Sequence, residues 1–174
     1  TVDSVTSGAD GVYYTILRQL ASPVGALTRI ARVSNNEVKA LRATPKTLVP
    51  APGAGKWLQL ESVTLILDYA AAAFTESADN LVVEYGTSGV DATGAIEATG
   101  FIDATADQLI QATGAALATN ALSDIVNNAL VLKNTGDGEF AGGLPSAWAS
   151  GTAYTLGNLV APTTPNNCYY ECTT

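Results

Sequence analysis

The chain has 174 residues, of which 47% are hydrophobic and 14% are charged, and its net charge is −8 at pH 7. This balance excludes an intrinsically disordered chain, and the length suits one main domain with at most a small satellite. Histidine is absent, which excludes the Ser-His-Asp and Cys-His catalytic arrangements. We therefore predict that the chain is not an enzyme and that it works by binding.

The charges are unevenly distributed along the chain. Up to Lys56 there are seven basic and three acidic residues, a net of +4, whereas the remainder has one basic and thirteen acidic residues, a net of −12. Two interpretations stay open: ordinary solvated surface, or a basic N-terminal segment that docks on an acidic neighbour such as an adjacent copy. The acidic remainder disfavours nucleic acid as a partner.

The N-terminal third reads as short extended segments. Val12 to Leu17 and Val24 to Val33 are rich in β-branched and aromatic residues, and Ser22-Pro23 separates them. We predict an arm of two strands or extended segments over residues 1–36. Alternation over Glu37 to Arg42 predicts a further short strand, and another is predicted at Thr47 to Val49, between prolines.

The strongest strand signal covers Trp57 to Tyr69, where the apolar phase slips at Glu61-Ser62, which indicates a β-bulge or a bend between two sheets. Two further strands are predicted at Leu81 to Tyr85 and Ala129 to Lys133. Helical spacing predicts short helices at Thr105 to Thr113 and Ala115 to Asn127. The pattern as a whole predicts a mainly β chain with a sandwich or jelly-roll-like core and one or two short helices.

Several groups of side chains in the sequence are candidate sites of chemistry. The carboxylate pairs Asp103 with Asp107 and Asp68 with Glu84 are of a kind that any acidic protein offers. The run from Pro52 to Trp57 has a glycine-rich start but lacks both the spacing and the hydroxyl of a phosphate loop. We interpret these residues as ordinary structure.

Metal binding is also not expected. Asp137 to Glu139, or Glu76 with Asp79, offers clustered oxygens for calcium, but no EF-hand pattern accompanies them. Cys168 and Cys172 lack the further ligands of a zinc site and are free or structural thiols or a local disulfide. We predict no cofactor and no bound metal. No apolar run approaches the roughly 18 residues of a membrane-spanning helix, and the first ten residues do not form a secretion signal, so we expect no membrane association.

Four blocks of sequence resemble, in the same order, a module of tailed-bacteriophage virion proteins. The blocks are VKALRATPKTLVPAPGAGK (Val38 to Lys56), FTESADNLVVEYG (Phe74 to Gly86), IEATGFIDATAD (Ile96 to Asp107) and ALVLKNTGDGEFAGG (Ala129 to Gly143). The resemblance implies a β-sandwich core over residues 37–143 and a virion structural protein. It implies a capsid decoration, or cement, protein that binds neighbouring major capsid subunits on the outer capsid surface as a homo-oligomer, a trimer being expected. Modules of this kind are also found within tail-fibre-like proteins.

On this hypothesis the predicted arm carries the docking residues. They are Tyr13, Tyr14, Leu17, Arg18, Arg29 and Arg32. A few buried aromatic and arginine anchors usually dominate an interface.

The C-terminal run WASGTAYTLGNLV (Trp148 to Val160) resembles the opening of a small chitin-binding type of carbohydrate-binding module, families 5 and 12. The resemblance implies a small β appendage over residues 144–174, incomplete because such modules continue beyond the point that corresponds to Thr174. Trp148, Tyr154 and Tyr169 are its candidates for stacking on a sugar, or else packing residues. This leaves an alternative function and location: a tail-fibre or spike module that binds a host surface glycan.

Overall fold

The computed structural model describes residues 13–20, 26–69, 72–76, 78–117, 120–143, 148–154, 159–160 and 170–173, with the backbone alone at 13–20, 26, 27 and 159. In chain order the elements are β1 (Tyr13–Leu20), β2 (Ala26–Val33), α1 (Asn35–Val38), β3 (Lys46–Val49), β4 (Leu60–Leu67), β5 (Phe74–Thr75), β6 (Asn80–Tyr85), β7 (Ile96–Glu97), β8 (Gln108–Thr113), a 3-10 helix (Leu122–Asp124), β9 (Leu130–Asn134), β10 (Ala141–Gly142), β11 (Leu159–Val160) and β12 (Tyr170–Glu171).

Two four-stranded antiparallel sheets make up most of the described structure. Sheet I has the strand order β2-β1-β4-β8, and sheet II has the order β3-β9-β6-β7. Two smaller pairings, β5 with β10 and β11 with β12, complete the described strands. The prediction of a mainly β, sandwich-like chain is confirmed.

One hydrophobic core lies between the sheets. On β4 the inward positions Val63, Leu65 and Leu67 are buried, while the residues between them are half-buried, the period-2 pattern of a strand with one face in the core. They share a cluster with Val83 and Leu132 of sheet II. Each such side chain contributes about 1.5–3 kcal/mol through its burial.

The predicted bulge on β4 is confirmed by the strand register. Arg18 pairs with Ser62, whereas the next residue, Gln19, pairs with Leu60. Glu61 is therefore the additional residue, and it shifts the phase of β4 as the slip in apolar alternation indicated.

The short strand predicted at Glu37 to Arg42 is wrong. Ser34 begins helix α1 there with a capping box, in which its side chain accepts the Glu37 N–H and the Glu37 carboxylate accepts the Ser34 N–H at 2.8 Å. The spacing Ser-x-x-Glu is the sequence signature of this cap. Local side-chain hydrogen bonds therefore outweigh the weak alternation.

The predicted helix at Thr105 to Thr113 is also wrong, because β8 occupies Gln108–Thr113 and pairs with β4 over its whole length. In the region predicted as the second helix, Ala115 to Asn127, the described helical residues are those of the 3-10 turn Leu122–Asp124. Strand pairing outweighs local helical spacing when an existing sheet edge is available.

The segment predicted as an arm contributes strands to the sandwich. β1 lies between β2 and β4 in sheet I, and Val33 at the end of β2 is fully buried in the core. The described part of residues 1–36 is therefore hydrogen-bonded to the region predicted as the core. The domain boundaries at 36 and 143 stay predictions.

Candidate docking surface

The outer face of sheet I consists of three rows of residues that the strand register aligns. On β4 the half-buried positions Ser62, Thr64 and Ile66 alternate with core residues and mark this face. Their partners on β8 and the corresponding positions on β2 are exposed. We call these described positions the outer face: Thr28, Ile30, Arg32, Ser62, Thr64, Ile66, Leu109, Gln111 and Thr113.

The outer face carries no carboxylate among its described positions, although the chain has 16 acidic residues. It carries the guanidinium of Arg32 and two well-exposed aliphatic side chains, Ile30 at 52% and Leu109 at 64%. The nearest acidic residue along β4 is Glu61, at the bulge. Depletion of acidic residues and enrichment of arginine are typical of the core of a protein interface.

The register divides the six predicted docking residues into two sets. Tyr14 pairs with Arg32 and Ile66, and Arg18 pairs with Thr28 and Ser62, so these positions fall in the rows of the outer face. The remaining three alternate with them along β1 and β2: Tyr13, Leu17 and Arg29.

The second set lies in rows that include buried residues. Tyr13 pairs with the buried Val33, and Leu17 pairs with Arg29 and the buried Val63. Arg29 is exposed on the edge strand β2. The docking residues therefore do not share one face of the sheet, because successive residues of a strand point to opposite sides.

Leu109 and Gln111 belong to the outer face but were not among the predicted site residues. They were not predicted because their segment was expected to be a helix, which does not place them on the face of a sheet. The signal was present in the sequence, since Leu109, Gln111 and Thr113 alternate with Ile110 and Ala112, and these last two pack against the core. The Gln111 side chain donates to the Thr64 hydroxyl at 3.3 Å across the face.

The last of the four sequence blocks is hydrogen-bonded to the first through the side chain of Glu139. The Glu139 carboxylate accepts the backbone N–H of Arg42 at 2.9 Å and of Ala43 at 2.6 Å. Both its oxygens are therefore engaged by residues almost a hundred positions away. This carboxylate satisfies two backbone donors of an exposed turn.

The glycines that end this block are also structural. Gly142 of β10 pairs with Phe74 of β5, and the Gly143 N–H donates to the Ala73 carbonyl at 2.8 Å. Gly143 has φ +63°, and a Cβ there would lie 2.5 Å from the Asn35 Oδ1. A side chain is excluded at this position both by conformation and by space.

Two of the carboxylates considered for catalysis, those of Asp103 and Asp107, serve local structure, whereas the Asp68 Oδ2 is buried without a hydrogen-bond partner among the described residues. Asp103 accepts the Gly100 N–H at 2.6 Å, and Asp107 accepts the Tyr69 N–H at 2.9 Å. These contacts order the turns that flank β8.

The carboxylate of Glu84 is almost fully buried on β6. It accepts a hydrogen bond from the Lys133 ammonium at 2.8 Å, which is also an ion pair, and another from the Gly89 N–H at 2.6 Å. Burial raises the pKa of the neighbouring Asp91, and the charge of Glu84 raises it further, while Lys133 lowers it. A buried carboxylate of this kind requires such partners.

The Glu76 and Glu139 oxygens considered for calcium are engaged within the protein, whereas the Asp79 Oδ1 is buried without a hydrogen-bond partner among the described residues. Glu76 accepts the Thr99 hydroxyl at 2.8 Å and the Asp79 N–H at 3.1 Å. Both Glu139 oxygens are occupied as described above. Within the described ranges, no three Asp, Glu or Cys side chains group as a metal ligand set.

The described C-terminal aromatics differ in exposure. Trp148 is 48% exposed and Tyr170 is 53% exposed. Tyr154 is half-buried; its hydroxyl accepts the Ala149 N–H at 2.8 Å, and its carbonyl accepts the Cys172 thiol at 3.7 Å. Tyr154 therefore packs within this segment. Tyr169 and Cys168 lie outside the described residues.

No protein-family model, curated protein or solved structure matches the chain. Among the described residues, no helix has the length and apolar character required to span a membrane.

Proposed function

We propose that the chain is a structural protein of a tailed-bacteriophage particle, which decorates the capsid by docking the outer face of sheet I on neighbouring major capsid subunits. The observation that carries the proposal is this face, free of carboxylates at its described positions and bearing exposed aliphatic side chains. The four-block resemblance supports the class of partner. Capsid cementing needs binding and no chemistry, which agrees with a chain that lacks histidine.

The proposed binding mechanism is burial of apolar area at the centre of the interface, with complementary charges at the margin of the interface. A standard interface buries about 1,600 Å² in total, and a few anchors dominate its affinity. Ile30 and Leu109 are the aliphatic anchors of the described face, and Arg32 is its cation. The complementary capsid surface is therefore apolar with acidic groups opposite Arg32, which orient the encounter.

Single substitutions test the surface better than deletion of residues 1–33, because that deletion removes two of the four strands of sheet I. The test is co-sedimentation of the purified chain with capsids of its own phage that lack it. Ile30→Glu places a carboxylate on the outer face, and we expect at least about a tenfold loss of affinity, which corresponds to about 1.4 kcal/mol.

Leu122→Glu is the matched control. Leu122 is 72% exposed on the 3-10 helix, which is not part of sheet I, so the same chemical change should leave capsid binding intact. Equal capsid binding by Ile30→Glu and Leu122→Glu would contradict docking through the outer face. Binding that weakens as salt rises would support the role of Arg32.

A second candidate is a tail-fibre or spike module that binds a host surface glycan. The exposure of Trp148 and Tyr170 favours it, because an exposed ring can stack on the apolar face of a sugar. A glycan array with the wild-type chain and Trp148→Ala tests this candidate. Trp57→Ala is the control, since Trp57 is 46% exposed and lies outside the C-terminal segment.

The location in the particle separates the two candidates. Immunogold labelling spread over the capsid supports decoration. Labelling confined to the tail supports the glycan-binding module and contradicts the decoration proposal.

A further inference from the structure

The edge strands of the two sheets define two lateral sides of the sandwich. β2 of sheet I and β3 of sheet II are the edge strands on one side, where they contact each other. β8 of sheet I and β7 of sheet II are the edge strands on the other side. There the chain between β6 and β7 reaches the end of β8, because Asp91 bridges to Glu84 of β6 and Thr93 bridges to Gly114.

The lateral side made by residues 26–49, which we call the basic side, has a net positive charge. It carries five basic residues and one carboxylate, which is paired with Lys46. Two of its arginines, Arg29 and Arg42, are exposed. The Glu139 carboxylate adds a second negative charge, because it accepts the backbone N–H of Arg42. Five positive and two negative charges leave a net charge of +3 on the basic side.

The opposite lateral side, made by residues 91–113, which we call the acidic side, has a net charge of −4. It carries four carboxylates and no basic residue. Three of the four are exposed: Asp91, Glu97 and Asp107. The nearby ammonium of Lys133 is already paired with the buried carboxylate of Glu84. The charge split along the sequence is therefore also a split in space, with opposite signs on opposite sides of one sandwich.

We propose that the basic side of one copy docks on the acidic side of a second copy, so that copies associate head to tail. The occupant is a second copy because each side finds its complement, in sign and in approximate magnitude, on the same chain. Contact between two basic sides or two acidic sides would be repulsive, which disfavours a two-fold pairing of like sides. In a head-to-tail pair one side of each sign stays open, so further copies add until a ring closes.

The contact involves side chains on the lateral sides of the sandwich. Arg29 and Arg42 face the exposed carboxylates of the neighbouring copy, with Glu97 of β7 among them. A single exposed ion pair contributes little, so the association depends on several pairs together and weakens as salt screens them. The contact does not use the outer face of sheet I, and the inference holds whether or not the chain binds capsids.

Sedimentation velocity of the wild-type chain tests the association without any substitution. The measurement compares about 20 mM with about 500 mM NaCl, which shortens the Debye length from about 20 Å to about 4 Å. At low salt the mass should rise with protein concentration beyond twice the 17.8 kDa of one copy. At high salt the chain should return to the mass of one copy.

Charge reversals on the two sides test which surfaces meet. Arg29→Glu on the basic side and Glu97→Lys on the acidic side should each weaken association at least about tenfold. Lys56→Glu is the matched control for Arg29→Glu, because it makes the same change of charge at an exposed residue outside both sides. This control should leave the association intact.

A mixture of the two variants distinguishes a head-to-tail contact from a symmetric one. Arg29→Glu keeps an intact acidic side and Glu97→Lys keeps an intact basic side, so the mixture should associate although neither variant does so alone. Circular dichroism establishes folding, and Arg29→Gln or Glu97→Gln replaces a variant that does not fold.

Four results would overturn the proposal. They are a wild-type chain that stays monomeric at low salt, an association that stops at two copies or ignores salt, a mixture that does not associate, and a loss of association in Lys56→Glu.

Discussion

Removal of the Tyr85 hydroxyl should destabilise the sandwich measurably. Tyr85 is 1% exposed on β6, and its hydroxyl donates to the backbone carbonyl of Leu58 at 2.6 Å; Leu58 is itself buried. Burial raises the pKa of Tyr85, so the hydroxyl stays protonated well above neutral pH. Tyr85→Phe keeps the ring in the core but leaves the Leu58 carbonyl without its partner.

The free-energy cost of Tyr85→Phe arises because the Leu58 carbonyl stays buried without a hydrogen-bond donor. An unpaired buried polar group costs about 1–3 kcal/mol, more than the net value of an average hydrogen bond. For a chain of this length, about 2 kcal/mol lowers the thermal midpoint by about 4–8 °C. Urea unfolding followed by tryptophan fluorescence measures the free energy of unfolding, and the slope with urea should not change.

Tyr69→Phe is the matched control for this experiment. Tyr69 is half-buried beyond the end of β4, and no side-chain hydrogen bond is formed by its hydroxyl within the described structure. The same chemical change should therefore alter the free energy of unfolding by less than about 0.5 kcal/mol. If Tyr85→Phe is as stable as the wild type, the bond to Leu58 does not support the core and the reasoning fails.

Three further changes probe other parts of the fold. Gly143→Ala should cost about 2–4 kcal/mol in urea unfolding, because its φ is +63° and its Cβ would approach Asn35, whereas Gly138→Ala, with open space, should be neutral. Burial raises the pKa of Glu37, but hydrogen bonds from Lys46 and Ser34 lower it below its usual value, so Glu37→Gln should cost about 0.5 kcal/mol near pH 7. This difference should disappear as the pH falls through the range in which the carboxylate is protonated; a cost that persists there would contradict an ionic origin. Asp91→Asn should stabilise slightly at pH 7 and lose its advantage in acid, because the raised pKa of Asp91 means that its ionisation opposes folding.

The strands with strong local signals were predicted correctly. β4 follows from period-2 alternation, and β3, β6 and β9 follow from short apolar runs between turn residues; the phase slip at Glu61 located the bulge. Such signals are properties of neighbouring residues, so they need no knowledge of the rest of the chain. The capping box of Ser34 and Glu37 was equally local but was overlooked in favour of a weaker alternation.

Segments that depend on distant partners were not predicted. The run at β8 has apolar spacing compatible with a helix, and only the edge of β4 makes it a strand. Glu139 looked like a residue of an acidic loop, and its two contacts with the turn at Arg42 depend on the closure of the sandwich. Local propensity is a weak guide where long-range pairing contributes more free energy.

The sequence by itself determined a mainly β chain without histidine chemistry, and a charge split between its basic first third and its acidic remainder. Only the tertiary structure decided that β2, β1, β4 and β8 lie side by side, so that their alternate residues form one outer face and β8 lies at the edge of the sheet. The physical reason is that composition and period-2 alternation are read within a single segment. A face and an edge exist only after segments far apart in the chain have paired.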